Sequence, residues 1–206
     1  MNLQLALDRL TREECFKILK ETESFVDWIE IGTGVIKEYG MAIVREIREA
    51  YPGKTIVADM KTCDAGKHEA NQAFEAGADI TTVMAFSANK TIEDTLKVAK
   101  QYDKRIMIDL LGVSERSRVI ELHDMGVDLV SLHFGKDMQA EGEICTDIFS
   151  LTEGLSKLET AVAGGINLHT LPEILEKKPN AVIVGSSITK AESPFETAAA
   201  MKGLLN

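Results

Sequence analysis

The stretches Gly77-Ala78-Asp79 and Gly126-Val127-Asp128 repeat one pattern: a glycine, an apolar residue and an aspartate. Each stretch follows an amphipathic segment and precedes a short apolar run, as expected for the turn between a helix and the next strand. Two copies of the same αβ turn in one chain indicate that the protein is built from repeated βα units.

Short apolar runs alternate with longer amphipathic segments along the whole chain. The predicted strands are 3–8, 28–32, 55–60, 80–85, 105–110, 129–134, 160–164 and 181–185. The predicted helices are 12–21, 35–50, 65–76, 89–102, 114–125, 146–155, 168–177 and 195–205, with Thr11 and Ser114 as N-caps. Eight βα units in 206 residues predict a single (β/α)8 TIM barrel over residues 1–206. An open doubly wound sheet is the alternative, but no Gly-x-Gly-x-x-Gly turn follows the first strand.

The bulk composition limits the classes of function. A net charge of −10 and a pI of about 5 argue against a general nucleic-acid binder, which would carry a basic stripe. Anionic substrates stay open, because backbone N–H groups alone can form a phosphate site. No apolar run approaches the ~18 residues of a membrane span, and no leader is recognisable. Three cysteines without metal-ligand spacing suit a reducing compartment. We therefore expect a cytoplasmic protein without nucleic-acid or membrane partners.

The run Asp59-Met60-Lys61-Thr62-Cys63-Asp64 places charges at the end of a predicted buried strand. Strand alternation sends Asp59 and Lys61 to the same face, and Asp64 lies where the next helix begins. Nearby carboxylates keep a lysine charged, which argues against a Schiff base at Lys61 and for an electrostatic or hydrogen-bonding role. Cys63 has no histidine partner at a fixed spacing, so we assign it no nucleophilic role.

Titratable residues also end other predicted strands, and in a barrel they would meet at one mouth. Asp8 is either a site residue or a cap of the following turn. Glu30 lies between two isoleucines, so it is either a divalent-metal ligand together with Asp59 or half of a structural ion pair. Two carboxylates suit Mg²⁺, which keeps water or substrate oxygens at its other positions.

His133 is either a general base or a core histidine, and its place at a charged mouth favours the base. Asp109 is either a supporting acid or a cap.

Glycine-containing turns follow the last two predicted strands, at Gly164-Gly165 and at Gly185-Ser186. Glycine permits close approach of the backbone to a ligand, and the loops after strands 7 and 8 form the usual phosphate site of a barrel. The alternative is that both are simply tight βα turns.

Asp59, Lys61 and Asp64 match the Asp-x-Lys-x-x-Asp motif of the orotidine 5′-phosphate decarboxylase superfamily, and the chain resembles that family over essentially its whole length. The orotidylate enzymes carry a lysine at the end of the second strand, where this chain has Glu30. That departure resembles the Mg²⁺-dependent branch of the family, which holds hexulose-phosphate synthases and ketogulonate-phosphate decarboxylases.

Three positions bear on the choice within that branch. The decarboxylases tend to carry arginine, threonine and arginine where this chain has Lys136, Ala163 and Ser186, so all three resemble the synthases. The stretches 137–142, 161–166 and 182–185 are also similar to synthases.

The resemblance implies a reversible aldol condensation of formaldehyde with D-ribulose 5-phosphate to a hexulose 6-phosphate, through an enediolate stabilised by Mg²⁺ or Mn²⁺. Glu30 and Asp59 would bind the metal, His133 would move the proton, and Lys61 would offset the developing charge. It also implies that Asp8 hydrogen-bonds Lys61 or a substrate hydroxyl, and that Asp64 reaches the partner's site in a homodimer. Backbone N–H groups near Gly164, Gly165, Gly185 and Ser186 would hold the phosphate. Decarboxylation of 3-keto-L-gulonate 6-phosphate is the alternative, and a non-catalytic phosphosugar-binding barrel is the second.

Overall fold

A computed structural model describes residues 1–140, 142 and 144–205 of the chain. Eight parallel strands follow one another in sequence order and close into a barrel. Closure occurs between the first and last strands, where Leu3 lies opposite Val182 and Leu5 opposite Val184. The prediction of a (β/α)8 TIM barrel is confirmed, and the open-sheet alternative is wrong.

The helices and strands fall close to their predicted positions. The strands are β1 (Asn2–Leu7), β2 (Trp28–Ile31), β3 (Thr55–Thr62), β4 (Ile80–Met84), β5 (Arg105–Asp109), β6 (Leu129–His133), β7 (Glu159–Ala163) and β8 (Ala181–Val184). The helices are α1 (Arg12–Thr22), α2 (Thr33–Ala50), α3 (Gly66–Glu75), α4 (Asn89–Tyr102), α5 (Arg116–Asp124), α6 (Leu171–Glu176), α7 (Ser186–Thr189) and α8 (Pro194–Leu205). In the part of the chain described, no helix is both long enough and apolar enough to cross a membrane.

Two of the predicted helical features are wrong. The segment predicted as a helix over 146–155 forms a 3₁₀ helix, Thr146–Leu151. The Ser150 and Thr152 hydroxyls donate to carbonyls three residues earlier, at 2.7 and 3.2 Å, which favours the tighter winding. Ser114 is not an N-cap, because α5 begins at Arg116 and its N-cap residue makes no side-chain cap. Thr11, by contrast, forms the expected cap as part of a capping box with Glu14.

The two glycine–apolar–aspartate turns, at Gly77 and Gly126, have the same backbone structure. Gly77 and Gly126 both adopt a positive φ, 98° and 93°. The amide of the residue after each glycine donates to a carbonyl five residues earlier, at 3.1 Å in both cases. This is the Schellman ending of a helix, for which glycine is favoured because the left-handed region costs it nothing.

The interior of the barrel is apolar at the end where the strands begin. Its floor consists of Val57, Ile80, Met107, Leu129, Ala161 and Ala181, with Trp28 and Ile183 packed against them. The charged residues predicted for the site stand on top of this floor. A separate and larger apolar layer fills the space between the strands and the helices.

Side chains at the floor end tie neighbouring strands together. Asp27 accepts a hydrogen bond from the Leu3 amide at 2.7 Å, and its own amide donates to the Leu3 carbonyl at 2.9 Å. Asp79 makes the same pair of bonds with Ile56, at 2.8 and 2.8 Å. Asn180 makes it with Thr160, at 2.9 and 2.7 Å. In each case the residue before one strand fixes the first part of the preceding strand, so these bonds clamp the strand starts of the barrel.

Candidate active site

The end of β3 is irregular, and this irregularity sets the position of Lys61. The pairing of β3 with β4 shifts register between Ala58 and Thr62. Lys61 itself has a left-handed φ of 46°, and its amide donates to the Thr82 hydroxyl at 2.9 Å. A non-glycine residue in this region is unfavourable unless its surroundings hold it there. The predicted meeting of Asp59 and Lys61 is therefore found, but through a bulge rather than through regular strand alternation.

Asp59 is a buried carboxylate of the mouth that three side chains hold in place. It is 6% exposed and accepts from Lys61 Nζ at 3.1 Å and from the Thr82 hydroxyl at 2.7 Å, both at Oδ1. Its Oδ2 accepts from the Thr33 hydroxyl at 2.8 Å. These contacts fix the carboxylate in orientation on the face that lines the cavity.

Asp109, which the sequence analysis left undecided, joins the two groups predicted to do the chemistry. Its Oδ2 lies 2.8 Å from Lys61 Nζ and 2.9 Å from His133 Nδ1. Burial acts to raise the pKa of Asp109, but the His133 hydrogen bond and charge, followed by Lys61, lower it to about 2. For Lys61, burial acts to lower the pKa, but the charges of Asp59 and Asp109 outweigh it and raise the pKa above its ordinary value. Lys61 therefore stays a cation, as the sequence argument against a Schiff base requires.

The contact with Asp109 decides the tautomer of His133. An ionised carboxylate only accepts hydrogen bonds, so the proton of a neutral imidazole lies on Nδ1 and a lone pair is left on Nε2. His133 lines the cavity with its side chain 20% exposed. This arrangement leaves the Nε2 lone pair available to act as a base.

Replacing Asp109 by asparagine should lower the rate of proton transfer at the site by about 10²-fold, the lower end of what a positioned general base contributes. The new amide can donate to His133 Nδ1, which moves the imidazole proton to Nε2 and blocks the base. Exchange of the C1 proton of ribulose 5-phosphate with D₂O, followed by NMR, measures this step. Asp128→Asn removes a carboxylate from the opposite end of the barrel and serves as the control. A wild-type exchange rate in Asp109→Asn would contradict the role of Asp109.

Glu30 lies in a setting that suits a divalent cation. It is 9% exposed, and burial followed by repulsion from Asp59 raises its pKa to about 8. The charge of Lys61 only partly reverses this rise in the pKa of Glu30. A further positive charge near Glu30 and Asp59 would therefore stabilise the ionised form of both carboxylates. Hard carboxylate oxygens are the ligands that Mg²⁺ prefers, and two of them leave room for water and substrate oxygens. Within the ranges 1–140, 142 and 144–205, no group of three or more His, Cys, Asp or Glu residues is placed so that it could hold a metal ion, so substrate or water oxygens would have to complete the coordination of an ion bound by Glu30 and Asp59.

The glycines after β7 and β8 reach the same cavity as the charged residues. Gly164 and Gly165 have positive φ values of 127° and 67°. A Cβ atom on Gly164 would lie 2.3 Å from the Phe134 carbonyl oxygen, so no other residue fits there without a shift of the backbone. Gly185 precedes the short helix α7, at whose start Ser186 lies. The four positions predicted to bind phosphate therefore line one side of the mouth.

A single cavity of about 410 Å³ opens at the strand ends and collects nearly all the predicted residues. Those that line it are Asp8, Glu30, Asp59, Lys61, His133, Gly164, Gly165, Gly185 and Ser186. Four cationic side chains that the sequence analysis did not assign to phosphate binding also line it: Arg9, Lys37, Lys136 and Lys190. Together with Lys61 they offset the four carboxylates of the lining, so the mouth does not repel an anionic ligand although the chain has a net charge of −10.

Asp8 and Asp64 occupy less central places. The Asp8 carboxylate accepts from the Gly34 amide at 3.0 Å and pairs with Arg9 Nε at 3.1 Å, while Lys61 bonds Asp59 and Asp109 instead. Asp8 still faces the cavity and stays a predicted contact for a substrate hydroxyl. Asp64 is exposed and does not line this cavity. It lines a second, separate depression together with Lys67 and His68. Of the synthase-like stretch 137–142, Glu141 lies outside the described residues.

A family model described as orotidine 5′-phosphate decarboxylase / HUMPS family matches residues 1–201. The chain belongs to this family. A protein named 3-hexulose-6-phosphate synthase from Bacillus subtilis (strain 168) is 42% identical over 207 residues, which cover 100% of this chain and 99% of the relative.

Solved structures of the family show the same barrel. The 3-hexulose-6-phosphate synthase of Salmonella typhimurium has a TM-score of 0.97 and 36% identity, covering 100% of this chain and 98% of that one. A 3-keto-L-gulonate-6-phosphate decarboxylase of Vibrio cholerae has a TM-score of 0.88 and 31% identity, covering 99% and 96%. These matches confirm the predicted superfamily, and the named synthases confirm the branch that the sequence favoured.

Proposed function

We propose that this family member is a 3-hexulose-6-phosphate synthase, an aldehyde-lyase that condenses formaldehyde with D-ribulose 5-phosphate and runs the reaction in both directions. The observation that carries the proposal is the hydrogen-bonded chain from His133 through Asp109 to Lys61. It places a base and a fixed cation beside one buried acidic pair, Glu30 and Asp59, within one cavity. A relative named for this activity, 42% identical over the full chain, supports it further.

Glu30 and Asp59 would hold Mg²⁺ or Mn²⁺, and the bound ion supplies Lewis-acid polarisation of the ketose oxygens. His133 Nε2 takes a proton from C1 of the ketose, breaking that C–H bond and leaving an enediolate. Lys61 carries a fixed positive charge toward the developing oxyanion. C1 then forms a bond to the formaldehyde carbon, and the proton on His133 passes to the new alkoxide oxygen. The imidazole returns to its starting state, so protons and electrons balance over the cycle.

The phosphate of the substrate would bind on the glycine side of the mouth. Backbone N–H groups near Gly165 and Ser186 can donate to its oxygens, and nearby cationic side chains such as Lys190 supply charge. Binding energy collected at the phosphate holds the distant C1 against His133, which lowers the entropy cost of the reaction.

A homodimer with shared sites is part of the proposal. Asp64 is exposed and lies outside the cavity of its own chain, where a neighbouring subunit could use it. The Ser87 hydroxyl donates to the Thr62 carbonyl at 3.2 Å, which holds the loop after β4 against the end of β3. Phe86 in that loop is 64% exposed, the kind of large apolar side chain that subunit interfaces cover. Free thiols at Cys63 and Cys145 support a reducing, cytoplasmic setting.

One observation favours the decarboxylase alternative: the structural likeness to the Vibrio cholerae enzyme. Against it, Lys136 and Ala163 line the cavity where the decarboxylases tend to carry arginine and threonine. A phosphosugar-binding barrel without catalysis would leave the bonded chain of His133, Asp109 and Lys61 without a purpose.

The deciding experiment measures consumption of formaldehyde in the presence of ribulose 5-phosphate, with Mg²⁺ and with EDTA. We expect turnover that needs both the ketose and the metal, together with Mg²⁺-dependent exchange of the C1 proton into D₂O in the absence of formaldehyde. Release of CO₂ from 3-keto-L-gulonate 6-phosphate without formaldehyde consumption would establish the decarboxylase instead. Binding of ribulose 5-phosphate with neither exchange nor turnover would establish the non-catalytic barrel.

A further inference from the structure

Gln4 is a fully buried amide at the centre of the barrel. It lies on β1 with 0% exposure, opposite Trp28 of β2 and Ile183 of β8. Both neighbours belong to the apolar floor, so Gln4 places a polar group in a layer that is otherwise packed with hydrocarbon. Burial of an amide in such surroundings is unfavourable unless hydrogen bonds replace those it made to water.

Only half of the amide finds such a replacement. Gln4 Nε2 donates to Glu30 Oε2 at 2.5 Å. Gln4 Oε1 is buried and has no hydrogen-bond partner among the residues that the structure describes. An apolar side chain of similar length would avoid the cost of this carbonyl and would suit the floor equally well. Folding alone therefore does not explain a glutamine at this position.

Gln4 is also not placed to touch a substrate. The lining of the cavity includes Ala6, the next residue of β1 on the same face, and Glu30, but not Gln4. Among the described residues, the one side-chain hydrogen bond of Gln4 goes to Glu30, so we expect any functional effect to pass through that carboxylate.

We propose that Gln4 is a positioning residue for the cation site, whose amide N–H fixes one oxygen of Glu30 and leaves the other for the metal. The inference rests on the proposed metal-dependent function, in which Glu30 and Asp59 are the ligands. A carboxylate at the end of a flexible side chain has several orientations, and a strong bond to one oxygen selects among them before the ion arrives. The buried Gln4 carbonyl, for which the described residues offer no hydrogen-bond donor, is the stability cost of placing the amide in the floor.

A purely structural role makes a different prediction. If the amide only helped the barrel to fold, its removal would lower the unfolding temperature of the metal-free protein and would leave metal affinity unchanged. If Gln4 positions Glu30, its removal weakens metal binding while the metal-free barrel stays folded.

The test uses Gln4→Met, which keeps the length of the side chain and removes the donor. Mn²⁺ is titrated into the metal-free protein without substrate, and free Mn²⁺ is followed by EPR. We expect the dissociation constant to rise by about 10–100-fold, as for the loss of a partner that orients a metal ligand. The metal-free unfolding temperature should stay near that of the wild type. Thr22→Val is the matched control, since it removes a buried hydrogen bond at the end of α1, to the Ile18 carbonyl at 2.8 Å, from a residue that does not line the cavity.

Gln4→Asn provides a second variant in case methionine disturbs the floor. It keeps the amide but is one methylene shorter, so it should lose the bond to Glu30 and weaken Mn²⁺ binding in the same direction. An unchanged dissociation constant in both variants would overturn the inference. The inference would also be overturned if the variants bound fewer Mn²⁺ ions per chain but with an unchanged dissociation constant. If the wild-type protein itself binds no Mn²⁺, the proposed metal site fails and the role of Gln4 fails with it.

Discussion

Replacing Asp59 by asparagine is expected to reduce formaldehyde fixation by about 10³-fold, the upper range for loss of one preorganised electrostatic group. Asp59 holds Lys61 and two hydroxyls in place and is half of the acidic pair that would bind the metal. The substitution keeps the shape of the side chain but removes its charge, so both the cation affinity and the position of Lys61 suffer. Formaldehyde consumption with ribulose 5-phosphate, measured at saturating Mg²⁺, gives the rate.

A companion variant separates the two roles of Asp59. Glu30→Gln removes the other carboxylate but leaves the contacts of Lys61 with Asp59 and Asp109 intact. If metal binding is the main role, high Mg²⁺ concentrations restore a similar share of the activity in both variants. If the position of Lys61 also matters, Asp59→Asn stays slower than Glu30→Gln at every Mg²⁺ concentration. Asp124→Asn, a surface carboxylate 77% exposed, should be indistinguishable from the wild type. Full activity in Asp59→Asn would contradict the whole site.

The second large effect is expected for His133→Asn, which should slow C1 proton exchange of ribulose 5-phosphate by about 10²–10⁴-fold. Asparagine approximates the Nδ1 side of the ring and can still donate to Asp109, but it has no basic atom in the place of Nε2. The affinity for the sugar phosphate should change little, because the proposed phosphate contacts are backbone N–H groups near Gly165 and Ser186 and do not involve the imidazole. NMR of the C1 position in D₂O measures exchange, and equilibrium binding of ribulose 5-phosphate is measured on the same samples.

His123→Asn is the matched control for this experiment. His123 lies on α5 and its Nε2 is 3.0 Å from the Ser156 carbonyl oxygen, away from the cavity. Its replacement should leave exchange unchanged. Should His133→Asn retain wild-type exchange, another group must take the proton, and the assignment of the base would be wrong.

The architecture was predictable because its signals are local and repeated. Apolar runs alternate with amphipathic segments along the whole chain, and two of these segments end at a glycine. Eight such βα units leave little choice of topology. The site residues on strand ends followed from that geometry alone. Thr11 was predictable as a cap because a capping box is a short-range pattern, whereas the 3₁₀ winding of Thr146–Leu151 depends on hydroxyl bonds that propensity does not encode.

Side-chain contacts between different strands could not be predicted from the sequence. Asp109 was recognised as the end of a strand, but its double contact with Lys61 and His133 depends on three separate strands coming together. One signal was available: β5 adjoins β6 in any barrel of this order, so the acid ending one strand faces the histidine ending the next. Gln4 gave no signal at all, because its partner Glu30 is 26 positions away and its meaning depends on depth in the barrel.

The clamps at the strand starts, formed by Asp27, Asp79 and Asn180, have a consequence for how the family diversifies. These hydrogen bonds join neighbouring strands at the end of the barrel where the strands begin, whereas the candidate site residues lie at the end where the strands finish. Substitutions at the opening of the cavity therefore leave the hydrogen bonds between the strand starts intact. We therefore expect a substitution at Lys136 or Ser186, which line the cavity, to change substrate preference at little cost to the hydrogen bonds that join the strand starts.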